Sequence, residues 1–189
     1  MHYNEGIFKY GLIVGRFQHI HIGHQKLIEA GLRLTDKLLV FIGNANSPIG
    51  VRNPYSYEYR KSLIEKIYKE EIKKGKLIVE PLYDYRAPFA LTPEWGDYVL
   101  NEAKTILSQK PELIIYGKDK DINKCFSKIA IGRLTELVID RKELVISATQ
   151  MRSFLDEDNE KEWKKYADEK IHGEYERLKN MLKEAGNKI

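Results

Sequence analysis

Five short apolar runs recur along the chain, and stretches with helical periodicity stand between most of them. The runs are Leu12-Ile13-Val14, Lys37 to Ile42, Leu77-Ile78-Val79, Leu113-Ile114-Ile115-Tyr116 and Leu137-Val138-Ile139. Runs this short, several stopped by glycine, read as strands, those at Leu12 and Lys37 as buried ones. Between them, Gly23 to Leu34 lines up Leu27, Ile28, Leu32 and Leu34. An element capped by Ser56 carries Leu63, Ile64 and Ile67 and ends at Gly75. Pro93 and Glu94 open a further helix with Val99, Leu100, Ala103 and Leu107 apolar. Strand followed by helix, repeated, predicts an α/β fold: a Rossmann-like, doubly wound parallel sheet of about five strands with right-handed crossovers.

The expected α/β domain spans residues 1–155, with Met1 to Lys9 as a polar lead-in. Residues 156–189 form a charged helical extension packed on the same domain, with Trp163, Tyr166, Ile171, Tyr175, Leu178 and Leu182 facing inward. No repeat or low-complexity linker divides the chain. The net charge of +4, from 32 basic and 28 acidic residues, suits a small anionic substrate. Basic residues lie largely in mixed-sign stretches and form no basic stripe with interleaved aromatics, so a nucleic-acid partner is not expected. No apolar run approaches the roughly 20 residues that span a bilayer, and no signal core precedes the first strand, so a cytoplasmic location is the default expectation. The single cysteine, Cys125, excludes an internal disulfide and a multi-cysteine metal site and reads as a small buried hydrophobe. A homo-oligomer is compatible with the sequence.

In such sheets ligands bind beyond the carboxyl ends of the strands, where strand order reverses. Chemistry is therefore expected just after Val14, Ile42, Val79 and Tyr116. After Val14 comes Gly15-Arg16-Phe17-Gln18-His19-Ile20-His21-Ile22-Gly23-His24. Gly15 admits close backbone approach to a ligand, and Arg16 is a forked cation suited to phosphate. His21 and His24, three positions apart at a helix start, share one face of its first turn. Gly23 between them leaves backbone N–H groups pointing outward, where helix N-termini already favour anions. Solvated or core histidines are the plainer alternative, and a zinc site lacks a third ligand. His19 reads as exposed.

A second motif, Ile146-Ser147-Ala148-Thr149-Gln150-Met151-Arg152, starts another helix. Ser147 is a natural N-cap, and with Thr149 and Arg152 it makes a second phosphate site, or simply a capped helix. Two anion sites on one sheet edge suit a triphosphate.

Together the motifs resemble the nucleotidyltransferase superfamily that carries His-x-Gly-His and Ile-Ser-x-Thr-x-x-Arg. Gly-Arg-Phe-Gln-x-x-His-x-Gly-His is similar to the nicotinamide mononucleotide (NMN) adenylyltransferases of archaeal type and to the adenylyltransferase half of bifunctional bacterial enzymes. His19 stands where those usually have proline. Arg52-Asn53-Pro54-Tyr55-Ser56 through Arg60, Pro81 to Tyr85 with Trp95, and Gly117 to Asp121 resemble further family segments. No Nudix box follows, so no second hydrolase activity is expected.

The resemblance implies transfer of AMP from ATP to NMN, giving NAD and pyrophosphate, with ATP and NMN as the partners. It implies that His21 and His24 contact the ATP phosphates, His24 nearest the transferring group. Arg152, Ser147 and Thr149 hold the departing phosphates. Gly15, Arg16, Phe17 and Gly23 line the ATP side, Arg16 clamping phosphate there or between the substrates. Lys120 and Asp121 meet the ribose of ATP. On the acceptor side, Trp95 stacks on the nicotinamide or is a core residue, and Asp84 binds the amide or ribose or caps a turn. Arg52 and Asn53 bind the NMN phosphate or lie in a solvated loop. Mg2+, held mainly by substrate phosphates and water, accompanies ATP. The same fold serving FMN or phosphopantetheine, and a non-catalytic nucleotide-binding regulator, are the competing functions.

Overall fold

Side chains alternate across the strands, and each face of the sheet has its own core. Leu12, Leu39, Phe41, Ile114 and Tyr116 point to one face, and Ile13, Leu38, Val40, Ile42 and Ile115 to the other. The structure, a computed structural model, describes residues 6–83, 92–117 and 122–187. Its elements run β1 (Phe8–Gly15), α1 (Ile22–Leu34), β2 (Thr35–Ile42), α2 (Tyr57–Ile67), α3 (Lys69–Lys73), β3 (Leu77–Pro81) and α4 (Pro93–Leu107). There follow β4 (Leu113–Gly117), α5 (Ile122–Cys125), α6 (Lys128–Ile131), β5 (Thr135–Ile139), α7 (Arg141–Leu144), α8 (Ala148–Asp156) and α9 (Glu160–Tyr166). A 3-10 turn over Glu169–Glu174 and α10 (Tyr175–Gly186) complete the chain.

All pairings are parallel, in the order β3-β2-β1-β4-β5. The chain works outward from β1 to β3, then returns to place β4 on the other side of β1. The order reverses between β1 and β4, so the carboxyl end of β1 is the switch point. The doubly wound sheet and its five strands match the sequence expectation.

One face is covered by α4, through Val99, Leu100, Ala103 and Leu107, with Phe126 and the buried Cys125. The other is covered by α1 and α2, by Met151 and Leu155 of α8, and by Trp163, Ile171, Tyr175, Leu178 and Leu182 of the tail. The tail therefore shares the main core, with Tyr166 only partly buried. Fully burying a leucine or isoleucine contributes roughly 2 kcal/mol. Surface ion pairs such as Lys164–Glu160 contribute less than about 1 kcal/mol, so apolar packing holds the tail down.

Three local expectations change. The lead-in ends sooner, because Phe8 and Lys9 already belong to β1. The Ser56-capped element breaks at Tyr68 into α2 and α3 before Gly75, at φ +68°, ends it. The helical tail is two α-helices, α9 and α10, interrupted by a 3-10 turn that its charge pattern did not foretell. β5 is present as expected and is an edge strand with Val138 exposed. No helix among the described residues is long and apolar enough to cross a membrane.

Candidate active site

β1 delivers the first motif to the switch point, and its turn is built around Phe17. That residue has a left-handed backbone, φ +49°, and its ring folds back over Gly15. A Cβ on Gly15 would lie 2.9 Å from the Phe17 ring. The glycine thus makes room for Phe17, which is a different reason from the expected approach to a ligand.

His21 is the N-cap of α1, its Nδ1 accepting from the Gly23 N–H at 3.1 Å. The Gly23 N–H is therefore turned onto His21 instead of pointing outward as expected. With Nδ1 as acceptor, the proton of the neutral ring sits on Nε2. Burial, then the neighbouring His24 and His19, hold the His21 pKa far below the ordinary histidine range. His21 is thus a neutral hydrogen-bond donor at working pH. The His24 ring stacks on it, centroids 3.9 Å apart and planes 28° apart, and leans on Phe17 at 4.7 Å. The expected shared face is present.

The second motif reaches the same place. Arg152 on α8 donates from Nη1 to the carbonyl of Gln18 at 2.7 Å and from Nη2 to Thr149 Oγ1 at 3.3 Å. Its pKa is lowered, by burial first and also by the positive field of Arg16, while Tyr55 opposes. Two guanidiniums at one sheet edge repel each other, an arrangement suited to an anion. Arg16 itself is exposed. Ser147 caps α8 in a full capping box: its Oγ accepts from the Gln150 N–H at 3.2 Å and its own N–H donates to Gln150 Oε1 at 3.0 Å, while its hydroxyl also donates to that oxygen at 2.8 Å. Its cap role is borne out, and its hydroxyl is engaged within α8.

Expectations for the acceptor side fare unevenly. Asp84, Lys120 and Asp121 lie outside the described residues. Asn53 joins the site: its Oδ1 accepts from Gln18 Nε2 at 3.4 Å, and its backbone pairs with Gly50. Arg52 beside it is exposed. Trp95 stands in the first turn of α4, half-buried, edge-on to Phe126 with centroids 5.9 Å apart. That is the packing alternative, at the edge of the sheet where ligands bind.

His19 is a correction. It is fully buried, with Nδ1 2.6 Å from the Ile20 carbonyl and Nε2 accepting from Trp163 Nε1 at 3.0 Å. A ring with both nitrogens satisfied inside the core has no need of water.

Two residues escaped the sequence reading. Gln18 is a buried hub whose Oε1 accepts from the Tyr55 N–H at 3.1 Å and whose Nε2 donates to the Tyr55 carbonyl at 3.2 Å. Arg60, 2% exposed, donates to the carbonyls of Arg16 at 2.6 Å, Gly43 at 2.8 Å, Asn44 at 3.0 Å and Ser56 at 3.2 Å. It ties the turn after β1 to the turn after β2. Its signal was available: Arg60 shares the i, i+3, i+4, i+7 stripe with Leu63, Ile64 and Ile67, and a charge on an apolar stripe must be paired. Gln18 had no comparable signal.

The cytidylyltransferase-like family model matches residues 12–171. Among curated proteins, nicotinamide-nucleotide adenylyltransferase of Pyrococcus furiosus is 33% identical over 148 residues, which is 76% of this chain and 71% of that protein. The Thermococcus kodakarensis protein of the same name is 31% identical over 94 residues, 49% of this chain, so the match spans 48% of its length, about half. Among solved structures, the bifunctional NMN adenylyltransferase/ADP ribose pyrophosphatase of Francisella tularensis, complexed with AMP, superposes with a TM-score of 0.70 at 20% identity. That superposition takes in 93% of this chain and 52% of the other, and it shows a shared fold.

Proposed function

The chain belongs to the cytidylyltransferase-like family, and from that premise we propose that it transfers AMP from ATP to nicotinamide mononucleotide, yielding NAD and pyrophosphate. A single observation carries the reading. Arg152 from the late helix donates to the Gln18 carbonyl at 2.7 Å, so both phosphate-binding motifs close on one site at the switch point.

The reaction needs no covalent enzyme intermediate. An oxygen of the acceptor phosphate attacks the α-phosphorus of ATP as the bond to the bridging oxygen breaks, and pyrophosphate leaves with that electron pair. Catalysis then consists of positioning and of stabilising charge on the transferring and leaving phosphates. His21, as a neutral donor, and His24 beside it face the α-phosphate. Arg152 with Thr149 holds the departing phosphates, and Arg16 bridges donor and acceptor. Arg52, Asn53 and Trp95 serve the acceptor. Magnesium would enter with ATP rather than on a protein site of its own, and would supply positive charge to the departing phosphates. Among the described residues no group of three or more His, Cys, Asp and Glu gathers to hold a metal of its own. The cationic residues at the site suit phosphate oxygens.

The test is pyrophosphate release from ATP with a panel of acceptors: the nicotinamide and nicotinic acid mononucleotides, FMN and phosphopantetheine. The pyridine mononucleotides are expected to give the highest kcat/KM. Turnover with FMN or phosphopantetheine alone would move the acceptor. Tight ATP binding with no pyrophosphate from any acceptor would make the chain a nucleotide-binding regulator.

A further inference from the structure

We propose that Trp163 of the C-terminal tail is a positioning residue for the catalytic turn, acting through its indole N–H on His19 to hold the Gln18 carbonyl against Arg152. The proposal rests on the adenylyl-transfer reading and adds to it a function for the tail.

Residues 18–21 are anchored to four different elements. The Gln18 side chain grips the backbone of Tyr55 ahead of α2, and its carbonyl receives Arg152 of α8. His19 receives Trp163 of α9, and His21 caps α1. Remove one anchor and its neighbours lose their fixed geometry, because His19 stands between the carbonyl that aligns Arg152 and the imidazole that caps α1.

The His19 anchor has a defined polarity. An indole N–H only donates, so His19 Nε2 must carry the lone pair and Nδ1 the proton, which then points at the Ile20 carbonyl 2.6 Å away. One bond from the tail thereby fixes the tautomer and the ring orientation together. The surroundings hold the pair in place. His19 and Trp163 are both fully buried, the Tyr55 ring lies edge-on to His19 at 6.0 Å, and the Tyr175 ring lies edge-on to Trp163 at 5.4 Å. A tryptophan wanted only for bulk has no need to aim its nitrogen at this turn.

Trp163→Phe keeps an aromatic ring in the core and deletes the donor, leaving His19 Nε2 buried without its partner. Melting temperature, histidine 15N spectra and steady-state kinetics are compared with the parent chain. The expected results are a folded variant, a His19 signal that loses its pure Nδ1–H form, and kcat lower by about tenfold with the acceptor KM within about twofold. His19→Leu removes the orphaned acceptor, and in that background Trp163→Phe is expected to add nothing further to the loss in kcat. Unchanged kcat in folded Trp163→Phe, or losses that simply add in the double variant, would overturn the proposal. So would a His19 signal in the parent chain that is protonated on Nε2. The 15N spectra are independent of turnover. If the parent chain releases no pyrophosphate with any acceptor, the adenylyl-transfer reading has failed, and with it the catalytic part of this proposal. The spectra still decide whether Trp163 sets the His19 tautomer.

Discussion

The guanidinium of Arg152 donates to the main-chain carbonyl of Gln18 at 2.7 Å, across 134 positions of sequence. A carbonyl at the end of the first strand's turn thus fixes a side chain from a helix near the other end of the chain. The second arm of the fork reaches Thr149 Oγ1 at 3.3 Å, which sets the plane of the group. Lysine keeps the charge but cannot hold two partners in one plane. Arg152→Lys is therefore expected to lower kcat/KM for ATP by at least about tenfold, the worth of roughly 1.4 kcal/mol. Kinetics at saturating acceptor check this, and a variant with the parent's kcat/KM would remove the fork from the mechanism.

His21 and His24 are expected to separate when mutated. His24 has its ring beside His21 and its backbone inside α1, so on the proposed mechanism His24→Ala is expected to remove a contact to developing charge without harming the helix. Its kcat is expected to fall by about 100-fold or more, with thermal stability little changed. His21→Ala also removes the cap on Gly23 and is expected to cost about 1 kcal/mol of stability besides activity. Calorimetry and pyrophosphate release on both variants decide it. Equal stability losses would contradict the division of labour, and normal turnover in His24→Ala would take that ring out of the chemistry.

Trp95 is the acceptor-side residue whose assignment is most exposed to test. Its ring rests on Phe126, yet it sits in the first turn of α4 at the ligand edge of the sheet. Losing a stacking partner worth about 1 kcal/mol raises the acceptor KM about fivefold in Trp95→Ala, with a smaller effect on the KM for ATP. Equal changes in both constants would mark the tryptophan as packing alone.

The sheet was legible because periodicity and glycine stops are local signals, and the order of motifs brought both of them to the carboxyl end of β1. The stacked imidazoles followed from their spacing, and the Ser56 and Ser147 caps from residue type. What remained hidden depends on contacts distant in sequence. Nothing near His19 announces that Trp163, 144 positions away, will bury it, so its polar character read as exposure. Gly15 was assigned to ligand approach because local sequence does not reveal that Phe17 turns back over it.

Acid stability follows from His19. Burial, with a smaller push from Arg152 against the Ile20 carbonyl, lowers its pKa to about 4 from the ordinary 6.5. Between those values the unfolded chain binds a proton that the folded one refuses, so stability rises with pH across this window. The contribution is complete above about 6.5 and is lost as pH falls toward 4, amounting to about 3 kcal/mol. His21, lowered in the same direction, adds to the slope. Urea unfolding at half-unit steps is expected to show a shallower pH dependence in His19→Asn than in the parent. Parallel curves would mean that His19 does not drive the acid transition.

Arg60 sets the last expectation. Its guanidinium is buried and spans the carbonyls of Arg16, Gly43 and Asn44, which belong to the turns after two neighbouring strands. The fork geometry lets one residue serve acceptors on both turns at once. A lysine ammonium in the same place is a point donor on a flexible stem, reaches fewer of them, and leaves desolvated carbonyls behind. Each such loss costs about 1 to 3 kcal/mol, so Arg60→Lys is expected to lower unfolding free energy by about 2 to 4 kcal/mol. The urea midpoint should fall with an unchanged slope, which separates lost stability from a changed unfolded state. Because Arg60 holds the carbonyl of Arg16, the folded fraction should also bind ATP more weakly. A midpoint equal to the parent's would show that the two turns hold together without it.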